Sequence, residues 1–133
     1  IEEPRRLTQE ELGEKFSFSL SRKIYSVNGV KFVYANEGET YSSIASRYDL
    51  FPKEILRFND AGANRALMTG EVVYIQAKKT KAARGMDKYI SDEGGETMRD
   101  LSQRFGLKLK NLCKMNGRGE GYVSQPGDEF ILR

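Results

Sequence analysis

Apolar positions in this chain change their spacing from two to about three and a half and back, and the same change occurs twice. Residues 32–36 open with Phe-Val-Tyr, a β-rich stretch that predicts a strand. Gly38 allows a turn, and the Thr40 hydroxyl can cap a helix over residues 41–48, where Ile44, Ala45 and Tyr48 form one apolar stripe. Pro52 suits the first turn of a second helix with Ile55, Leu56 and Phe58 on its buried side, and Asn59-Asp60 ends it. After a loop over residues 61–69, Gly70 turns the chain into the strand Val72-Val73-Tyr74-Ile75.

Sliding the sequence by 57 positions repeats this pattern without a gap. Gly38-Glu39-Thr40 meets Gly95-Glu96-Thr97, Arg47 meets Arg104, Asn59 meets Asn116 and Gly70 meets Gly127. The apolar positions coincide as well: Val33 with Ile90, Ile44 with Leu101, Tyr48 with Phe105, Ile55 with Leu112, Phe58 with Met115, and Val73 with Phe130. Tyr48, Phe58 and Phe105 are expected in the core, and Cys113, which aligns with Leu56, is expected there as a small hydrophobe. Two strand–helix–helix–strand (βααβ) modules result, and two antiparallel strands backed by two helices make the fold class α+β.

Val27-Asn28-Gly29-Val30 is the strongest short hairpin signal a sequence offers, and it extends the first module by an N-terminal strand. Tyr25 would face Phe32, and Ile24 would face Val33 on an inner face shared with Ala35, Val73 and Ile75. The outer face would carry Tyr25, Phe32, Tyr34, Val72 and Tyr74, whereas the second module's outer face would carry Tyr89, Ser91, Glu129 and Ile131. So large an apolar face predicts a cover, either the second module or a domain upstream. The expected organisation is a linker over 1–21, module one over 22–77, a solvated basic linker over 78–87, and module two over 88–133.

Composition narrows the chemistry. The 133 residues contain no His, which removes the commonest general base, the usual zinc ligand and every Ser–His or Cys–His nucleophile. Carboxylates alone can hydrolyse glycosides, but no pair is singled out by spacing, so no enzyme, cofactor or metal is expected of this chain. A net charge of +3 that includes 19 acidic residues makes a poor electrostatic footprint for nucleic acid. No apolar run approaches the ~20 residues of a membrane span. The chain starts at Ile1 without a secretory signal, which points to a processed product or a piece of something longer. The single Cys113 excludes an internal disulfide.

These residues resemble the LysM family, whose modules have this length and βααβ order and a G-D-T-L turn before the first helix. Gly38-Glu39-Thr40-Tyr41 and Gly95-Glu96-Thr97-Met98 stand at that turn. Asn59 and Asn116 stand where the family closes its second helix, and Thr69-Gly70-Glu71 and Pro126-Gly127-Asp128 are similar to its P-G-x turn. Glu replaces Asp in both turns, and Tyr41 and Met98 replace Leu. The whole stretch is also similar to the C-terminal region of bacterial cell-wall glucosaminidases.

The resemblance implies non-catalytic binding of a GlcNAc-containing glycan, most simply peptidoglycan, in a groove between the turn before the first helix and the loop before the last strand. In module one this implicates Gly38, Glu39, Thr40, Tyr41, Ala61, Gly62 and Leu67; in module two, Gly95, Glu96, Thr97, Met98, Arg118, Gly119, Tyr122 and Val123. Thr40 and Thr97 serve equally well as helix caps and nothing more. The resemblance also implies an upstream catalytic domain and an exported location, in the cell envelope (periplasm or cell wall) or extracellular. The alternative is a structural or protein-interaction tail of such an enzyme.

Overall fold

The computed structural model describes residues 22–133, so the linker expected over 1–21 lies outside the described residues. In chain order the elements are β1 (Tyr25–Val27), β2 (Val30–Tyr34), α1 (Tyr41–Arg47), α2 (Pro52–Phe58), β3 (Val72–Tyr74), β4 (Lys88–Ser91), α3 (Met98–Phe105), α4 (Leu109–Asn116) and β5 (Asp128–Ile131). β1, β2 and β3 form one antiparallel sheet, and β4 and β5 form a second. The fold class is α+β as expected.

Asn28 and Gly29 both have positive φ (55° and 75°), which a two-residue hairpin turn of the right twist requires. Tyr25 accordingly pairs with Phe32, and Phe32 pairs with Tyr74 across the next strand. Ile24 departs from expectation: it precedes β1 and is 45% exposed, because the ladder ends at Tyr25.

The core of the first half is Val33, Ala35, Tyr41, Ile44, Ala45, Ile55, Leu67 and Val73. That of the second includes Met98, Leu101, Leu107, Leu112, Phe130 and Leu132. Each large side chain so buried contributes about 1.5–3 kcal/mol relative to water. Tyr48, Phe105 and Cys113 pack against these clusters as partly buried members, and Phe58 packs against a third cluster of Val30, Phe32 and Tyr74.

Both halves tie the end of their second helix to the last strand through one Asn. Asn59 Nδ2 donates to the Ile55 and Tyr74 carbonyls, and its Oδ1 accepts from Tyr74 N at 2.7 Å. Asn116 makes the corresponding bonds with the Leu112 and Ile131 carbonyls and Ile131 N. The amide satisfies strand backbone groups that pair with no neighbouring strand, the costliest groups to leave bare inside a protein. The left-handed residues that follow the helices differ: Asp49 (φ 57°) and Asp60 (φ 51°) in the first half, Gly106 and Gly117 in the second.

The gapless alignment fails at β4. Tyr89 pairs with Phe130, and Ser91 is buried, so the inward residues are Tyr89 and Ser91, while Ile90 is 52% exposed. Gly70 N donates to Ala35 O in the first half and Gly127 N to Ser91 O in the second, so Ser91 stands where Ala35 stands. One extra residue lies in the following turn, where Gly94 and Gly95 both take positive φ. A Cβ at Gly94 would come within 2.9 Å of the backbone at Ser124 and Pro126, so the insertion fits only as glycine.

The segment expected to be a solvated linker is docked at two points. Lys78 is 3% exposed and Ala82 is buried in the second core. Lys79 N donates to Gly106 O, Lys108 N to Lys79 O, and Ala82 N to Leu132 O. Around Lys78 the two halves meet on polar contacts. Its ammonium donates to Ser102 Oγ (2.7 Å), Gln103 Oε1 (2.6 Å) and Asp60 Oδ2 (2.8 Å), which uses all three donors. Asp60 Oδ2 also accepts from Leu109 N, Arg99 donates to the Asp60 carbonyl, and the Tyr74 hydroxyl donates to Gln103 O. Burial holds the Lys78 pKa below its ordinary value against the pull of Asp60, and burial pushes the Tyr74 phenol up.

Candidate functional site

In each half, the turn before the first helix meets the loop before the last strand. Thr40 and Ala66 form an isolated antiparallel bridge, as do Thr97 and Val123. Leu67 N donates to Glu39 O and Ser124 N to Glu96 O. Asn64 Oδ1 accepts from Ser42 N, tying the first loop to the start of α1. The turns are fixed by capping. Thr40 Oγ1 accepts from Ser43 N and Thr97 Oγ1 from Asp100 N, with reciprocal bonds from Ser43 and Asp100, so both threonines are N-caps.

The loops are pinned by an acidic residue after each Gly turn. Glu71 pairs with Arg65 and accepts from Met68 N, and the Arg65 guanidinium beside it holds its carboxyl below the usual range. Asp128 accepts from the Tyr122 hydroxyl and from Gln125 N, and these bonds lower its pKa likewise. Arg118 lies over the Tyr122 ring, 4.0 Å from its centroid. Sequence reasoning passed over Glu71 and Asp128 as binding-loop supports, although their shared position in the repeat was a visible signal.

The residues expected to touch ligand divide by burial. Gly38, Gly62, Gly95, Gly119 and Val123 are exposed along the seam, and Thr40, Thr97, Ala61, Arg118 and Tyr122 are half-buried beside it. Tyr41 and Met98 are fully buried, and Leu67 nearly so. The ligand-facing role expected of these three side chains is corrected, because they fill the cores at positions where helix and loop close over them. Glu39 and Glu96 are also turned away from the seam. Glu39 accepts from Asn36 N and pairs with Arg22. Glu96 accepts from Tyr89 OH and Ser91 Oγ and pairs with Arg104 at 2.9 Å. The Glu96 carboxylate in turn raises the Tyr89 pKa. What remains accessible is a seam of backbone, with the Thr40, Thr97, Arg118, Tyr122 and Val123 side chains along it.

Residues 36–76 match the family model described as "LysM domain". LysM domains are non-catalytic and bind GlcNAc-containing glycans such as peptidoglycan. Among solved structures, the chain is similar to the Bacillus cereus spore cortex-lytic enzyme SleL, at 21% identity and a TM-score of 0.33. That overlap covers 78% of this chain and 22% of SleL, so the chain spans under a quarter of that enzyme's length. No curated protein matches the chain. Among the described residues, no helix is long and apolar enough to cross a membrane.

Proposed function

We propose that the chain is a tandem of LysM-type modules that binds GlcNAc-containing glycan, most simply peptidoglycan, and holds an attached cell-wall hydrolase on its substrate in an exported, cell-envelope setting. The observation that carries this reading is the shared seam. The bridge Thr40–Ala66 recurs as Thr97–Val123, with the same capping box, the same loop-to-turn hydrogen bond and the same acidic pin. Under this reading residues 22–77 and 88–133 are the modules. Both seams would take the polymer through backbone at Gly62 and Gly119 and their neighbours, and the chain itself performs no catalysis.

A protein-interaction tail is the second reading, favoured by two half-exposed rings, Tyr25 and Tyr34, on the outer sheet face. Sedimentation with purified peptidoglycan at low and high salt separates the two. Retention that survives salt supports glycan binding, because hydrogen bonds and apolar contacts are little screened. Absence of retention at either salt refutes it and leaves the interaction tail.

A further inference from the structure

The outer aromatic face of the first sheet is covered over only part of its area. Tyr74 is fully buried and Phe32 nearly so beneath α3, while Tyr25 and Tyr34 remain 36% and 42% exposed. Between that face and α3 lies an open cleft of about 500 Å³. Its floor is Tyr25, Phe32 and Tyr34; its wall is Asp100, Gln103 and Arg104. The floor is preformed: the Tyr25 and Phe32 rings stack at 5.6 Å, and Tyr34 meets both edge-on at 5.0 and 5.3 Å. The wall is preformed too, since Arg104 is held by Glu96 and Tyr89, and Asp100 by the N-terminus of α3.

We propose that this cleft between the two halves is an additional saccharide site, taking one or two pyranose rings of the same GlcNAc polymer. The proposal rests on the glycan-binding reading above. A pyranose presents C–H bonds on one face and hydroxyls at its rim. Aromatic rings receive the first and the Arg104 and Asp100 side chains the second, the apolar lining with few polar groups that small-ligand sites share. The volume falls within the range of about 300–1,000 Å³ usual for such sites. Because one side of the cleft comes from each half, the site exists only while the halves are docked.

The test is calorimetry of the full chain with GlcNAc hexamer, comparing wild type, Y25A/Y34A and Y25F/Y34F, each shown folded by circular dichroism. The alanine pair should bind about tenfold more weakly, equivalent to about 1.4 kcal/mol, and the phenylalanine pair should retain wild-type affinity because the stacking faces remain. Should the alanine pair fail to fold, Y34A alone, at the more exposed ring, should still weaken binding. Unchanged affinity in the folded alanine variant overturns the cleft and leaves the seam reading standing. Wild type that binds no GlcNAc polymer overturns both.

Discussion

Replacing Lys78 with Met would remove one cation and three hydrogen bonds from the contact between the halves while keeping most of the aliphatic volume. Removing one partner of a buried ion pair typically costs about 3–5 kcal/mol, because the other charge is stranded. Here the stranded group is Asp60, whose side chain keeps 28% of its surface accessible and one bond from Leu109 N, so water can take back part of the loss. Ser102 Oγ still donates to Leu107 O, leaving Gln103 Oε1 as the acceptor that loses its donor. Burial already lowers the Lys78 pKa, so the charged form is held at some expense that Met avoids. The expected net loss is about 1–3 kcal/mol. Urea unfolding followed by circular dichroism would read this as a midpoint lower by roughly 0.5–1.5 M, at slopes near 2 kcal/mol per M. A cycle with D60N and K78M/D60N should give a coupling above about 0.5 kcal/mol. An unchanged midpoint for K78M together with zero coupling would show that Lys78 does not join the halves.

Asp49 and Asp60 share left-handed backbone, yet only Asp60 holds the other half, so thermal unfolding should show D49G neutral to stabilising by up to ~1 kcal/mol and D60G destabilising. Asn59 is fully buried and Asn116 is not, so N59A should cost about 2–4 kcal/mol and N116A about 1–2, measured by denaturant titration. Glu71 and Asp128 have folded-state pKa values below their unfolded ones. The unfolded chain therefore takes up protons first as pH falls, and stability present above about pH 4.5 is lost as pH drops through the folded values. E71Q should reduce that acid sensitivity in melting temperatures between pH 6 and 3, and an unaltered slope would remove Glu71 from the loop's support.

The pattern of apolar spacing was enough to place the four helices and the last strand of each half, because those segments face one core and carry one stripe each. The hairpin was legible for a local reason: Asn28-Gly29 is among the few dipeptides comfortable at two positive φ angles. Strand β4 was misread because a single inserted glycine reverses which face every strand residue takes, and identity at Gly95-Glu96-Thr97 hid the insertion. Lys78 was misread because a basic run looks alike whether or not one member finds three acceptors, and those acceptors, Asp60, Ser102 and Gln103, are distant in sequence. Within the seam, the family resemblance located the loops. Burial then divided their residues: Tyr41 and Met98 sit one residue past the cap, where the side chain points into the core.

The seam itself is best tested by closing it. Gly62 and Gly119 occupy corresponding places, are exposed, lack positive φ, and have open space where a Cβ would project. Leucine at either position should therefore leave the fold intact while placing bulk across the surface assigned to the polymer. Calorimetry with GlcNAc hexamer should show wild type binding in the millimolar to micromolar range, roughly −4 to −8 kcal/mol. G62L and G119L should each weaken it, and G62L/G119L should reduce it to whatever the cleft between the halves retains. A folded G62L/G119L that binds the hexamer as tightly as wild type would contradict the account.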